Sequence, residues 1–197
     1  MLIGLTGYAG VGKDTVANIL RARHGYKRYA FADKLKSFVY ELNPLIIAKD
    51  PDDILVHLRD AVDEYGWDFV KRAYPLARHY LQKTGVWFRE NVDKNYWVNV
   101  VAERWYADGC PNAVFTDVRF PNEVAWIRSA GGVVIRVHRP GVGPVNDHES
   151  ERADELGSDW ELNNDGTTED LERLVDVTLR VAEWKRSVND TQGGHGG

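Results

Sequence analysis

Apolar residues in this chain fall into short unbroken runs that alternate with stretches where they recur every three or four positions. Ile3 to Leu5 is a run of strand length, and Val16, Ala17, Ile19 and Leu20 then mark one face of a helix that Gly25 caps. Tyr26 to Ala32 predicts a second strand. Leu35, Phe38, Val39 and Leu42 return to helical spacing until Asn43-Pro44 stops them. Asp50-Pro51 predicts a helix with Ile54, Leu55, Leu58 and Val62 on one face, closed near Gly66. Tyr74-Pro75 opens another, through Leu76, Tyr80 and Leu81 to Gly85, with no strand between the two. Trp97, Val101 and Trp105, with Val98 and Val100, give a further helix with a wide apolar face. Ala113 to Thr116 reads as a short buried strand, and Pro121 starts a helix ended by Gly131-Gly132. Val133 to Val137 and Trp160 to Leu162 complete the strands. Thr167 with Asp170 has the form of a capping box before a last helix whose core face carries Leu171, Leu174, Val175 and Val181.

Five short strands alternating with helices predict an α/β fold, a parallel sheet with helices on both faces. The strandless stretch over about 44–108 reads as a helical insert over a second substrate, and the glycine-rich end from 187 to 197 as a disordered tail. At 197 residues the chain fits a single domain over 1–186, and seven Trp and nine Tyr suit a packed body. A net charge of -5 argues against a nucleic-acid partner. Cys110 is the single cysteine, so an internal disulfide is impossible. No apolar run reaches the ~20 residues that span a bilayer, and a cytoplasmic location is expected.

Candidate chemistry begins where the first strand ends. Gly7-Tyr8-Ala9-Gly10-Val11-Gly12-Lys13 lies between a strand and a helix, the order of a phosphate-binding P-loop. Glycines let successive amide N–H groups converge on an anion, the helix dipole adds positive potential, and Lys13 reaches the outer phosphates. The Ser or Thr that usually follows the lysine is replaced by Asp14, with Thr15 next, so one of these two takes the magnesium position. Asp117 ends an apolar strand, the form of a Walker B carboxylate that helps hold Mg2+.

Other candidates are single residues. Asp33, with Lys34 and Lys36 beside it, follows the second strand, and ligands in α/β folds bind beyond strand carboxyl ends. The run Gly85 to Asn91 sets Trp87 and Phe88 beside Arg89, which suits a phosphate contact with an aromatic near a base. Arg119 follows Asp117 by two residues. Arg139 opens a loop read as a lid over about 138–152, which includes Glu149 as a substrate contact; His148 has no partner at metal-ligand spacing.

These blocks together resemble the phage-type deoxynucleoside monophosphate kinases of the P-loop nucleoside monophosphate kinase superfamily. The resemblance rests on Gly12-Lys13-Asp14-Thr15, Phe31 to Lys36, Leu81 to Gly85 followed by Arg89, Asp117 to Glu123, Gly131-Gly132 with Arg136, and Asn164-Asp165-Gly166. Asp14, unusual for P-loops, is itself a feature of that family. The resemblance implies a three-layer P-loop fold and transfer of the ATP γ-phosphoryl group to a deoxynucleoside 5'-monophosphate. It places Gly7, Gly10, Val11, Gly12, Lys13, Asp14 and Thr15 at the ATP phosphates and Asn164 to Gly166 at the adenine. Asp33 would lie near the acceptor phosphate and metal, Arg89 and Arg119 would clamp phosphates, and Arg139 would belong to the lid. ATP, Mg2+ and a deoxynucleoside monophosphate are the implied ligands, a homodimer is the implied assembly, and a phage-encoded member would act in host cytoplasm. A kinase of another small acceptor such as dephospho-coenzyme A, and a nucleotide-binding switch, are the competing readings. The Asn-Lys-x-Asp motif of a GTPase switch is absent from the sequence.

Overall fold

The computed structural model describes residues 1–47, 55–144 and 155–192. In chain order the elements are β1 (Leu2–Thr6), α1 (Lys13–His24), β2 (Lys27–Tyr29), α2 (Ala32–Leu42), β3 (Leu45–Ile47), β4 (Leu55–His57) and α3 (Leu58–Ala73). They continue with α4 (Pro75–Asn91), α5 (Tyr96–Ala107), β5 (Ala113–Phe115), α6 (Pro121–Ser129), β6 (Val133–His138), β7 (Trp160–Asn163) and α7 (Thr168–Gln192). The chain divides into two compact units, one of residues 1–30 with 105–197 and one of residues 31–104.

The first unit is built on a five-stranded sheet in the order β2-β5-β1-β6-β7 with every neighbouring pair parallel. Strand pleating sends alternate residues to opposite faces. Ile3, Leu5, Val114, Ile135, Val137 and Leu162 point to one face, where Val16 and Leu20 of α1 and Leu171, Val175 and Leu179 of α7 pack on them. Gly4 points to the other, where a Cβ would sit 2.6 Å from Ile127 of α6 and 2.9 Å from Val118. The missing side chain is what lets α6 lie directly on the central strand. Phe115 meets Trp126 on that same face, ring centroids 5.2 Å apart, so helices cover both sides of the sheet. Across the first face Arg23 pairs with Glu172 and Asp176, and His24 Nε2 lies 2.8 Å from Asp176 Oδ1, which ties α1 to α7. This is the α/β sheet that the strand pattern predicts.

The second unit packs Val39, Ile46, Leu58, Ala61, Val70, Tyr74 and Ala77 into a core of its own. Asn43 ends α2 in the left-handed region at φ 50, and its Oδ1 accepts the Arg59 N–H at 2.8 Å near the start of α3. Here the sequence expectations need correction. Leu55 lies in β4, paired antiparallel with β3, and the helix starts at Leu58; Asp50, Pro51 and Ile54 lie outside the described residues. A short apolar run has no length over which helix and strand periods diverge, so this run is ambiguous by pattern. Gly66, at φ 75 and ψ 161, interrupts the helical backbone, so the first helical segment of α3 ends there as expected and a second runs on to Ala73. Gly85, by contrast, does not end a helix: α4 runs through it to Asn91, and Gly85 is buried there, with Leu35 of α2 3.3 Å from where its Cβ would be.

The last helix departs from expectation as well. It reaches Gln192, past the break expected at 187, while 193–197 lie outside the described residues. Its buried face carries Leu171, Val175, Leu179 and Ala182, and Leu174 is exposed. Among the described residues, no helix is long and apolar enough to cross a membrane.

Candidate active site

Parallel strands share one carboxyl edge, so the loops after β1, β5, β6 and β7 leave the first unit's sheet at the same end. That edge, beside the central strand, is where ligands bind in open α/β sheets. The P-loop, Asp117, Arg119, Arg139, Asn164 and Gly166 all follow these strands.

The loop after β1 has the geometry that its glycines predict. Gly7, Gly10 and Gly12 sit at φ 129, 85 and 104, in backbone conformations that L side chains rarely adopt. A Cβ on Gly7 would collide with the Val137 carbonyl oxygen, and one on Gly12 with the Asn164 amide nitrogen. Val11 is buried, and Lys13 opens α1, whose first turn also carries Asp14 and Thr15, both exposed. Lys13 Nζ donates to the carbonyl oxygens of Gly7 and Tyr8, each at 2.6 Å, which curls the ammonium over its own loop. Asn164 Nδ2 donates to the Val11 carbonyl at 2.8 Å and its backbone N–H to His138 at 2.7 Å. The Asn-Asp-Gly turn is thereby fastened to the P-loop and to the end of β6.

Asp117 and Arg119, both half-buried, lie on the turn after β5. Thr116 N–H donates to Tyr29 O and Val118 N–H to Leu5 O, each at 3.1 Å, which anchors the turn to β2 and β1. Glu123, in the first turn of α6, is buried, and its Oε2 accepts the backbone N–H groups of Arg119 at 2.7 Å and Phe120 at 3.1 Å. The role of Glu123 is absent from the sequence reading, although a glutamate three places into a helix after a turn is a capping-box signal. Arg139 is exposed at the start of its loop; Glu149 and His148 lie outside the described residues.

The remaining candidates belong to the second unit. Asp33 lies in the first turn of α2, with Phe31 as the N-cap. Asp33 and Lys36 line a cleft of about 490 Å³ with Ser37, Tyr40, Glu41 and Trp67, while Lys34 is exposed. Tyr40 and Trp67 escape the sequence reading because the cleft brings together α2 and α3, whose lining residues lie far apart in the chain. The Tyr40 hydroxyl donates to Asp63 Oδ1 at 2.7 Å, and this bond, more than any other influence, raises its pKa above the usual tyrosine value. Arg89 Nη1 donates to the Gly85 carbonyl at 3.4 Å, the oxygen that also accepts the Trp97 indole N–H at 3.1 Å. Trp87 is 55% exposed, whereas Phe88 is half-buried, with the ring centroids of Phe38, Tyr96 and Trp97 4.6 to 5.3 Å away. Of the two aromatics beside Arg89, Trp87 is the more exposed.

The oxygen donors suit a hard cation: Thr15 and Asp14 on the first turn of α1, and Asp117 on the turn after β5. Among the described residues no three His, Cys, Asp or Glu side chains gather into a metal cage. Mg2+ is often held by one or two carboxylates with substrate phosphates and water completing its shell, so this sparse set fits it.

Comparison with known proteins locates the chain. A family model for deoxynucleotide monophosphate kinase matches residues 75–175. A protein of Acanthamoeba polyphaga mimivirus, whose name assigns it to that family, is 30% identical over 162 residues, 77% of this chain and 80% of its own. Among solved structures, shikimate kinase from Aquifex aeolicus vf5 is similar at 12% identity and a TM-score of 0.49, over 93% of this chain and 99% of that one. Dephospho-CoA kinase from Campylobacter jejuni is similar at 13% identity and a TM-score of 0.46, over 93% and 98%. By the family match and the viral relative, this chain belongs to the deoxynucleotide monophosphate kinase family, and is a nucleotide kinase.

Proposed function

We propose that the protein transfers the γ-phosphoryl group of ATP to the 5'-phosphate of a deoxynucleoside monophosphate, releasing ADP and the diphosphate. The observation that supports it most is the P-loop: three glycines in left-handed backbone, with Lys13 opening α1 at the carboxyl end of the central strand.

An acceptor phosphate oxygen is already ionised near neutral pH, so the reaction needs positioning and charge neutralisation more than a base. That oxygen forms the new bond to the γ-phosphorus as the bond to the bridging oxygen breaks, and ADP leaves with the electron pair. Loop amides from Gly7 to Thr15 hold the donor phosphates, and Lys13 exchanges the Gly7 and Tyr8 carbonyls for phosphate oxygens. Asn164 and Gly166 border the adenine, with the Asn164 carboxamide steadied by Val11. Thr15 or Asp14, with Asp117, would hold Mg2+, which when bound offsets charge on the donor phosphates. Arg119 neutralises the phosphoryl group in flight, and Arg139 belongs to a lid that keeps water out.

Acceptor contacts fall to Asp33, Lys34, Lys36, Trp87 and Arg89. The two lysines and Arg89 supply the positive charge a monophosphate needs, and exposed Trp87 offers a stacking face for a base.

The test is a coupled ADP-release assay with magnesium-ATP against dTMP, dGMP, dCMP, dAMP, the ribonucleotides and dephospho-coenzyme A. Turnover with one or more deoxynucleoside monophosphates is expected. ATP binding without turnover on any of them would overturn the acceptor assignment.

A further inference from the structure

Glu123 is a carboxylate only 1% exposed, in a fold where burial of a charge is costly unless hydrogen bonds replace its water. Its bond to the Phe120 amide is half of a capping box for α6, since Phe120 is the N-cap. The shorter bond, 2.7 Å to the Arg119 amide, reaches one residue outside the helix, and capping alone does not require it. The consequence lies in the turn. Thr116 is tied to β2, Val118 to β1, and Arg119 and Phe120 to Glu123, so the backbone is held on both sides of Asp117 and at Arg119 itself.

We infer that Glu123 is a positioning residue for phosphoryl transfer: through the Arg119 amide it sets where the Arg119 guanidinium reaches. The inference rests on the reading of Arg119 as a phosphate clamp. A charged acceptor makes shorter, stronger bonds to N–H groups than a neutral one, and one oxygen here holds two successive amides. Displacement of a catalytic group by about 1 Å can cost a factor of about 10² in rate, so a fixed turn matters more to turnover than to folding.

The experiment is a double-mutant cycle on the full chain, with kcat and KM measured for the acceptor that turns over best. Glu123→Ala should lower kcat about 10- to 100-fold with little change in the KM for ATP. Glu123→Gln, whose amide oxygen accepts the same two N–H groups, should lose only about 2- to 5-fold. In an Arg119→Ala background, either Glu123 variant should cost no more than about 2-fold further, as expected of residues that act as a unit. Circular dichroism and thermal melting establish folding, and the Gln pair completes the cycle if Glu123→Ala does not fold. Equal losses from a Glu123 variant in both backgrounds would show a structural role only and overturn the inference. Full activity of Glu123→Ala beside an impaired Arg119→Ala would also overturn it while leaving the Arg119 reading intact. A fully active Arg119→Ala would remove that reading and this inference together.

Discussion

Gly12 and Lys13 are adjacent, and their replacements should fail in different ways. At Gly12 the backbone sits at φ 104, and a methyl group would collide with Asn164 Nδ2. Gly12→Ala should therefore distort the loop and loosen the Asn164 tether, with both a lower Tm and a large loss of turnover. Lys13 contributes charge from a flexible stem whose ammonium rests on carbonyl oxygens of its own loop. Lys13→Ala should lower kcat about 10²- to 10³-fold, the range for removal of one donor to a developing anion, with Tm nearly unchanged. The ADP-release assay and calorimetry on both variants check this. Near-normal turnover of a folded Lys13→Ala protein would overturn the P-loop assignment.

At the scale of elements, α7 begins with a reciprocal cap. Asp170 Oδ2 accepts from the Thr167 backbone N–H at 3.0 Å and hydroxyl at 2.8 Å, and the Asp170 N–H donates back to Thr167 Oγ1 at 3.2 Å. Thr167→Ala should lower Tm by about 2–4 °C, as loss of a cap does in a chain of this size. The Thr167 backbone N–H, then its hydroxyl, holds the Asp170 carboxyl below its ordinary value of 3.8. A lowered pKa means the folded state favours the carboxylate. Its stabilisation is complete above the unfolded-state value and is lost as pH falls through the folded one. Melting wild type and Thr167→Ala across pH should thus show a gap at pH 7 that narrows as pH falls below about 4, leaving the part that Thr167 Oγ1 contributes by accepting the Asp170 N–H; a gap independent of pH would argue against the carboxylate's part in the cap. The cap is readable from Thr167 and Asp170 alone because a helix start depends on neighbours three residues away. The burial of Gly85 inside α4 is not readable, because the residue it packs against, Leu35, lies fifty positions upstream.

At the scale of the molecule, the donor and acceptor roles proposed here fall on different units. The P-loop, Asp117, Arg119 and Asn164 belong to the unit of 1–30 and 105–197, and Asp33, Lys36, Trp87 and Arg89 to the unit of 31–104. Hydrogen exchange should reflect this division. ADP alone should slow exchange over 7–16 and 162–166, and a deoxynucleoside monophosphate alone over 31–41 and 83–91. Protection by the monophosphate confined to the first of these units would place the acceptor contacts wrongly.

The sequence by itself determined what is local. A strand, a glycine-rich loop and a lysine-headed helix in succession encode an anion cradle, since φ > 0 is open to glycine and the helix start supplies free amides. The alternation of strands and helices encodes a parallel sheet, and its shared carboxyl edge follows. The tertiary structure decided what depends on residues far apart in the chain. It alone set the order β2-β5-β1-β6-β7, packed α6 so that Gly4 faces Ile127, and set β4 where the pattern reads as helix. It packed Phe88 half-buried against Phe38, Tyr96 and Trp97 while exposing Trp87, although both are aromatic neighbours of Arg89. It also buried Glu123 beneath the turn that carries Arg119. Burial is a property of the partners that pack around a residue, and those partners are chosen by the fold.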